Sequence, residues 1–149
     1  HIVAEQKNNY AFKALKELCA KSPVVFEYDP LWYWTALCSL TSSQLPSNEQ
    51  HLRPMAITED QQRKLKLLYH PEITKPSEAA KILAKHLQLS PPLDPVHLEE
   101  LLQIWILNCF EHSDDPLGYS TYFMSSFMSH HCMPNAVWHY DEDDFVLRA

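Results

Sequence analysis

Glycine is almost absent from this chain, and its scarcity constrains the fold more than any other sequence feature. Gly118 is the only glycine among 149 residues. Phosphate-binding loops and dinucleotide-binding turns need several glycines, because their backbone must turn sharply and approach the ligand closely. The sequence therefore excludes those two classes of nucleotide site. A chain of this length forms one compact domain or part of one.

Charge is unevenly distributed along the chain. The first 110 residues carry 12 acidic and 11 basic residues, whereas the rest carries seven acidic residues and one basic residue, Arg148. The net charge of -7 argues against direct binding to nucleic acid, which selects basic surfaces. The acidic end could attract a basic peptide, or it could consist of solvated turns. No apolar run approaches the roughly 20 residues of a membrane span, so we expect no membrane partner.

Helical periodicity dominates the first 110 residues. Apolar residues recur at helical spacing after several capping signals. The strongest helix should begin at Asp94-Pro95, and the stripe of Leu101, Leu102, Trp105 and Ile106 should be among the most buried parts of the chain. Capped helices are predicted to begin at Asp29-Pro30, at Thr58 with Gln61 in a capping box, at Ser77 and at Asp94-Pro95, and a further helix from Tyr10.

The pattern changes after Gly118. The runs 136–140 and 145–148 are β-prone, and a charged turn of four acidic residues separates them. We therefore predict a mainly α fold (α+β): a helical array of about five or six helices, followed by a short C-terminal β-hairpin. The four cysteines are scattered and form no Cys-x-x-Cys pair, which favours reduced, buried thiols over disulfides.

One segment carries more functional information than the rest. The run 126–136, Ser-Phe-Met-Ser-His-His-Cys-Met-Pro-Asn-Ala, resembles the Asn-His-Ser-Cys-x-Pro-Asn signature of SET-domain protein lysine methyltransferases. His130, Cys132, Pro134 and Asn135 match that signature. Ser129 stands where the family has Asn, and residue 131 is His where the family has Ser.

The flanking sequence extends this resemblance to the SET-and-MYND subgroup. Asn108-Cys109-Phe110 is similar to that subgroup's Asn-x-Phe at a helix end, and Gly118-Tyr119 begins an aromatic run that leads into the motif. After the motif, the chain ends with a strand-like Val-Leu-Arg-Ala at 146–149. The resemblance covers about residues 98–149. It implies a helical insert region at 1–110 and an incomplete SET-domain motif segment at 111–149.

The resemblance implies a function and a cofactor. SET-domain enzymes transfer a methyl group from S-adenosylmethionine to a protein lysine, often on a histone. Carried over residue by residue, the resemblance implies that His130, Ser129 and Asn108 contact the cofactor. A serine hydroxyl cannot reproduce the paired donor and acceptor of the amide that it replaces at position 129. The expected partner is a protein or histone substrate with a basic segment, in the nucleus or cytoplasm.

Several family elements are not found in this sequence. A Gly-x-Gly needs two glycines, and the catalytic tyrosine of the family follows a Gly-Glu-Glu stretch that does not occur here. The MYND zinc-finger cysteine pairs are also not found. The chain begins with His1 rather than Met and has no basic-then-apolar leader. We therefore expect a fragment that supplies no catalytic residue and transfers no methyl group alone.

Three other interpretations remain open. His130 and Cys132 are two residues apart and could share a metal ion with His139. Cys132 beside a histidine could act as a nucleophile, although adjacency in sequence is not the geometry that a Cys–His pair needs. The third is a helical protein-interaction module or a degenerate SET-like domain without catalysis, for which four tryptophans could line an aromatic groove: Trp32, Trp34, Trp105 and Trp138.

Overall fold

The computed structural model describes residues 2–45, 56–87, 92–129, 131–142 and 144–149. Within these ranges the chain forms five α-helices and five strands. The helices are α1 (Tyr10–Lys21), α2 (Pro30–Leu37), α3 (Glu59–Leu65), α4 (Glu78–His86) and α5 (Pro95–Asn108). The strands are β1 (Ile2–Ala4), β2 (Phe110–Asp114), β3 (Leu117–Ser120), β4 (Val137–Asp141) and β5 (Asp144–Arg148).

Local capping chemistry sets where all five described helices begin, and α1 begins at Tyr10 as predicted, with the Asn9 side chain accepting hydrogen bonds from the Ala11 and Phe12 backbone nitrogens. The Asp29 carboxylate accepts a hydrogen bond from the backbone of Leu31, and Asp94 and Ser77 cap α5 and α4 in the same manner. The reciprocal hydrogen bonds between Thr58 and Gln61 form a capping box at the start of α3. These four predicted helix starts are confirmed. The ends are harder to predict: the helical apolar pattern continues to about Ser42 and Tyr69, but α2 and α3 end at Leu37 and Leu65.

The helices enclose the main core. Helix α5 packs against both α2 and α4, and α1 packs against α2. Leu101 and Trp105 are fully buried and Leu102 nearly so, as predicted, but Ile106 is only partly buried. Ile104 takes its place in the core, because α5 is surrounded on more than one face by its neighbours. The indole of Trp105 also donates a hydrogen bond to the Ser39 hydroxyl, at 2.7 Å.

The predicted fold class was wrong. The molecule has a mixed α+β fold, because a three-stranded antiparallel sheet with the strand order β1-β3-β2 pairs the N-terminal strand with the two strands that follow α5. Strand β2 reads Phe-Glu-His-Ser-Asp and β1 has three residues, so neither shows a detectable apolar alternation. Pairing between β1 and β3 joins residues more than 110 positions apart, and no local signal encodes it.

Gly118 allows two strands of this sheet to lie close together. It pairs with Ala4 across β1 and β3. A β-carbon at position 118 would lie 3.3 Å from the Ala4 β-carbon and 3.4 Å from the Val3 carbonyl oxygen. The only glycine therefore serves close strand packing rather than a phosphate-binding turn.

The C-terminal strands form a second, separate sheet. β4 and β5 pair antiparallel, with Trp138 opposite Leu147. Their connection includes Asp143, which lies outside the described residues, so the structure does not show the complete hairpin that we predicted. The sheet packs through aromatic rings, since the Phe110 ring lies 4.9 Å from that of Phe145 and 5.2 Å from that of Trp138. Phe110 is the first residue of β2 and follows α5 closely, so its ring joins the three-stranded sheet to the second sheet near the end of α5.

Candidate functional site

Asn108 is the last residue of α5 and joins three segments of the chain. Its side-chain nitrogen donates hydrogen bonds to the carbonyl oxygens of Ile104 and Tyr69, each at 2.7 Å. Its own carbonyl oxygen accepts a hydrogen bond from the Ser126 hydroxyl at 2.9 Å. Only 7% of the residue is exposed. Both amide hydrogens therefore serve the fold, so any contact of this side chain with a ligand would be made through Oδ1 as an acceptor.

Ser129 and Asn108 line the same surface cavity. Ser129 is exposed and follows a 3₁₀ turn at Ser125–Phe127. The cavity has a volume of about 880 Å³ and lies between the end of α5, the segment 125–136 and strand β4. Its polar lining consists of Asn108, Ser125, Ser126, Ser129, His131 and Asn135. The structure thus brings together two of the three predicted cofactor residues, which lie on different elements.

The third predicted residue, His130, lies outside the described residues, and its role stays a prediction. Its neighbour His131 is exposed, and its Nδ1 lies 3.1 Å from the Met133 backbone nitrogen. Cys132 is also exposed, which corrects the expectation that all four cysteines are buried. In the described part of the chain no three His, Cys, Asp or Glu side chains are grouped as a metal site requires.

Large apolar side chains surround the cavity and are open to solvent. Val137 is 59% exposed and Trp138 44%, and Leu107 and Leu147 on the rim are 49% and 46% exposed. Phe127 in the 3₁₀ turn is exposed as well. Contiguous exposed apolar surface of this kind is typical of a contact surface or of a ligand groove.

The cavity has the size and the mixed apolar and polar lining of a small-molecule site. Small-molecule sites commonly have volumes of roughly 300–1,000 Å³ and combine apolar walls with a few polar groups. Asn108 Oδ1 could accept from the ammonium group of S-adenosylmethionine, and the hydroxyl of Ser129 could serve its polar atoms. Trp138 supplies an aromatic surface at the rim. The Asn108 amide hydrogens are already used, so Asn108 would act as an acceptor only.

Cys109 lines this cavity but is a poor nucleophile. Burial raises the pKa of its thiol to about 12, so the reactive thiolate is scarce at neutral pH. Burial also raises the pKa of the nearby Tyr140 phenol, whose oxygen lies 3.1 Å from the Ser120 hydroxyl. These groups are suited to packing and to neutral hydrogen bonding rather than to nucleophilic attack.

Sequence reasoning missed two residues that shape the site. The Tyr69 carbonyl oxygen and the Ser126 hydroxyl hold Asn108 from either side. Ser126 lies within the motif segment, so its proximity to the site could have been inferred from the resemblance. Tyr69 is 39 residues from Asn108, and its contribution is made by a backbone group, which leaves no signal in the sequence.

Comparison with known proteins does not assign the chain to a family. No family model matches it, and no curated protein matches it at a significant level. The resemblance to SET domains therefore depends on the residues quoted above. Among the helices that the structure describes, none has the length and apolar character required to cross a membrane.

Proposed function

We propose that this chain is part of a SET-domain protein lysine methyltransferase and that its cavity binds S-adenosylmethionine. The observation that supports this proposal most is the shared location of Asn108 and Ser129. The resemblance to the family assigns both to the cofactor, and they line one cavity although they lie on separate elements. The bound cofactor would supply the methyl group, and the protein would supply placement and electrostatics.

The residues of this chain would hold the cofactor rather than carry out the transfer. Asn108 Oδ1 would accept from the amino-acid end, and its position would be fixed by its hydrogen bonds to Tyr69 and Ile104. Ser129 would contribute one hydroxyl, and His130 remains the predicted third contact. The 149-residue chain alone would transfer no methyl group, because the family's catalytic tyrosine segment has no counterpart in it.

Exposed acidic side chains on β2 and at the turn end of the β4–β5 sheet support a basic partner. Asp141, Glu142 and Asp144 are exposed at one end of the β4–β5 sheet, and Glu111 is exposed on β2. A potential of one sign attracts a partner of the opposite sign and raises its association rate. The substrate would therefore be a protein or histone with a basic segment around the target lysine.

A protein-interaction module is the second candidate. The exposed apolar side chains Met128, Val137 and Leu147 on the cavity rim favour it. In that case the cavity would be part of a contact surface, and the SET-like sequence would be a degenerate remnant without a cofactor. The two candidates differ in whether the cavity binds S-adenosylhomocysteine, the product of methyl transfer.

Titration calorimetry with S-adenosylhomocysteine tests the proposal on the 149-residue chain and on a longer protein that contains it. We expect the longer protein to bind and the shorter chain to bind too weakly to measure. Ser129→Asn restores the family's amide at an exposed position. It should tighten binding by about 2–10-fold, since one added hydrogen bond contributes about 0.5–1.5 kcal/mol.

Ser125→Asn is the matched control, because residue 125 lines the same cavity but has no assigned contact. It should leave the affinity unchanged or lower it. Equal gains from both variants would show that added polarity anywhere in the cavity suffices, and the residue assignment would be wrong. A longer protein that does not bind S-adenosylhomocysteine would favour the interaction module.

A further inference from the structure

A second polar site lies away from the cavity, where α3, α5 and the turn at 41–44 meet. The Gln44 carboxamide is at its centre. Its oxygen accepts hydrogen bonds from the Thr41 backbone nitrogen at 3.0 Å and from the Gln62 side-chain nitrogen at 2.8 Å. Its nitrogen lies 3.1 Å from Nε2 of His97. One amide therefore connects the turn, α3 and α5.

Backbone groups fix the orientation of this amide. The Thr41 N–H can only donate, so it must face the oxygen of Gln44. Gln62 Nε2 also donates to the Ser39 carbonyl oxygen at 2.7 Å, which fixes the Gln62 amide in turn. The nitrogen of Gln44 consequently faces His97. An amide N–H can only donate, so this hydrogen bond requires Nε2 of His97 without a proton. The neutral ring then carries its proton on Nδ1, which the Glu100 carboxylate can accept and to which the Lys66 ammonium cannot donate.

The other ring nitrogen of His97 lies between two charges. Nδ1 is 3.3 Å from the Lys66 ammonium and 3.7 Å from a carboxylate oxygen of Glu100. Lys66 and Glu100 themselves form an ion pair at 2.9 Å. In the described part of the chain the charged groups that act on His97 are Lys66 on α3, Glu100 on α5 and Asp94 at the α5 cap. Burial and Lys66 lower the pKa of His97, against the opposing effect of the two carboxylates.

We propose that His97 and Gln44 form a proton-sensitive latch between α5 and the turn at 41–44. A proton on Nε2 would point at the amide hydrogens of Gln44. The amide relieves this repulsion by rotating through half a turn, so that its oxygen accepts from the imidazolium. The rotated amide then presents hydrogens to the Thr41 and Gln62 donors, and both of those hydrogen bonds are lost.

The direction of the pH effect follows from the lowered pKa. The unfolded chain binds a proton at the ordinary histidine pKa of about 6.5, whereas the closed latch binds it only at lower pH. Stability therefore rises with pH through the interval between the two values. The latch is closed above about pH 6.5 and opens as the pH falls through the folded-state pKa of His97.

Nuclear magnetic resonance of the ¹⁵N-labelled chain tests the latch. At pH 7.5, Nε2 of His97 should be the unprotonated nitrogen. On acidification, the Thr41 amide and the side-chain NH₂ groups of Gln44 and Gln62 should shift with the same apparent pKa as His97. A proton on Nε2 at pH 7.5, or a His97 titration that leaves Thr41 and Gln44 unmoved, would overturn the proposal.

Two variants at partly exposed positions provide matched perturbations that need not disturb the core. Lys66→Met should raise the apparent pKa of His97 and, with it, the midpoint of the pH-dependent shift of the Gln44 NH₂ resonances. Glu100→Gln should lower both. His86 on α4 is exposed and provides the internal control, because neither substitution should change its ring resonances. Shifts of His97 that are not matched at Gln44 and Thr41 would show that the groups are not coupled.

Discussion

Truncation of Trp105 should be the most damaging single change in the helical core. The side chain is fully buried, and its indole nitrogen donates to Ser39 Oγ at 2.7 Å. Replacing a buried tryptophan by alanine costs about 3–5 kcal/mol, because packing contacts are lost and a cavity remains. A chain of this size loses about 2–4 °C in melting temperature for each kcal/mol. We therefore expect Trp105→Ala to melt about 6–20 °C lower.

Two companion variants separate packing from the hydrogen bond. Trp105→Phe retains most of the ring but cannot donate to Ser39. Its loss of stability should be smaller than that of Trp105→Ala, and the missing hydrogen bond should account for about 0.5–1.5 kcal/mol of it. Leu107→Ala changes an exposed residue on the same helix and should stay within about 0.5 kcal/mol of the parent. Thermal unfolding followed by circular dichroism gives all three values. A Trp105→Ala melting temperature equal to that of Leu107→Ala would refute the assignment of α5 to the core.

Three further outcomes are expected. Ser77→Ala should destabilise the chain by about 1–2 kcal/mol in urea unfolding, because the hydroxyl caps α4 and also donates to the buried Glu99 carboxylate; a cost near zero would contradict the cap. Iodoacetamide at pH 8 should alkylate the exposed Cys132 first and Cys38 only after unfolding, since burial raises the pKa of the Cys38 thiol. Peptide mass spectrometry gives the order of alkylation, and modification of Cys38 before Cys132 would contradict the expectation. Burial raises the pKa of Tyr33 to about 12, so stability should fall as the pH rises from about 10 to 12, and Tyr33→Phe should reduce that fall.

The sequence predicted those parts of the fold whose cause is local. A cap such as Asp94 acts on a backbone N–H two residues away, and the spacing of Leu98, Leu101 and Leu102 reflects a single helix face. The β1–β3 pairing instead depends on a contact between Ala4 and Gly118, for which neither neighbourhood carries a signal. Prediction therefore succeeded for helix starts and failed for the sheet that changes the fold class.

The candidate site was also predictable only in part. The resemblance to a family pointed to Asn108 and Ser129, and both line the cavity. It could not indicate that the Asn108 amide hydrogens are used by Tyr69 and Ile104, since this depends on how the chain returns to the end of α5. The latch between His97 and Gln44 was missed for a similar reason. Its hydrogen-bonding groups come from three segments of the chain. Two of these groups, the Thr41 backbone nitrogen and the Ser39 carbonyl oxygen, belong to the backbone and leave no signal in the sequence.

Photochemical cross-linking of radiolabelled S-adenosylmethionine tests the central claim most directly, because it reports both binding and location. The longer protein that contains this sequence would be irradiated with the cofactor, digested and mapped by mass spectrometry. The proposal predicts label on peptides from residues 108–138, around Asn108, Ser129 and Trp138, and loss of that label with excess S-adenosylhomocysteine. An unlabelled protein, or label confined to other peptides, would contradict it.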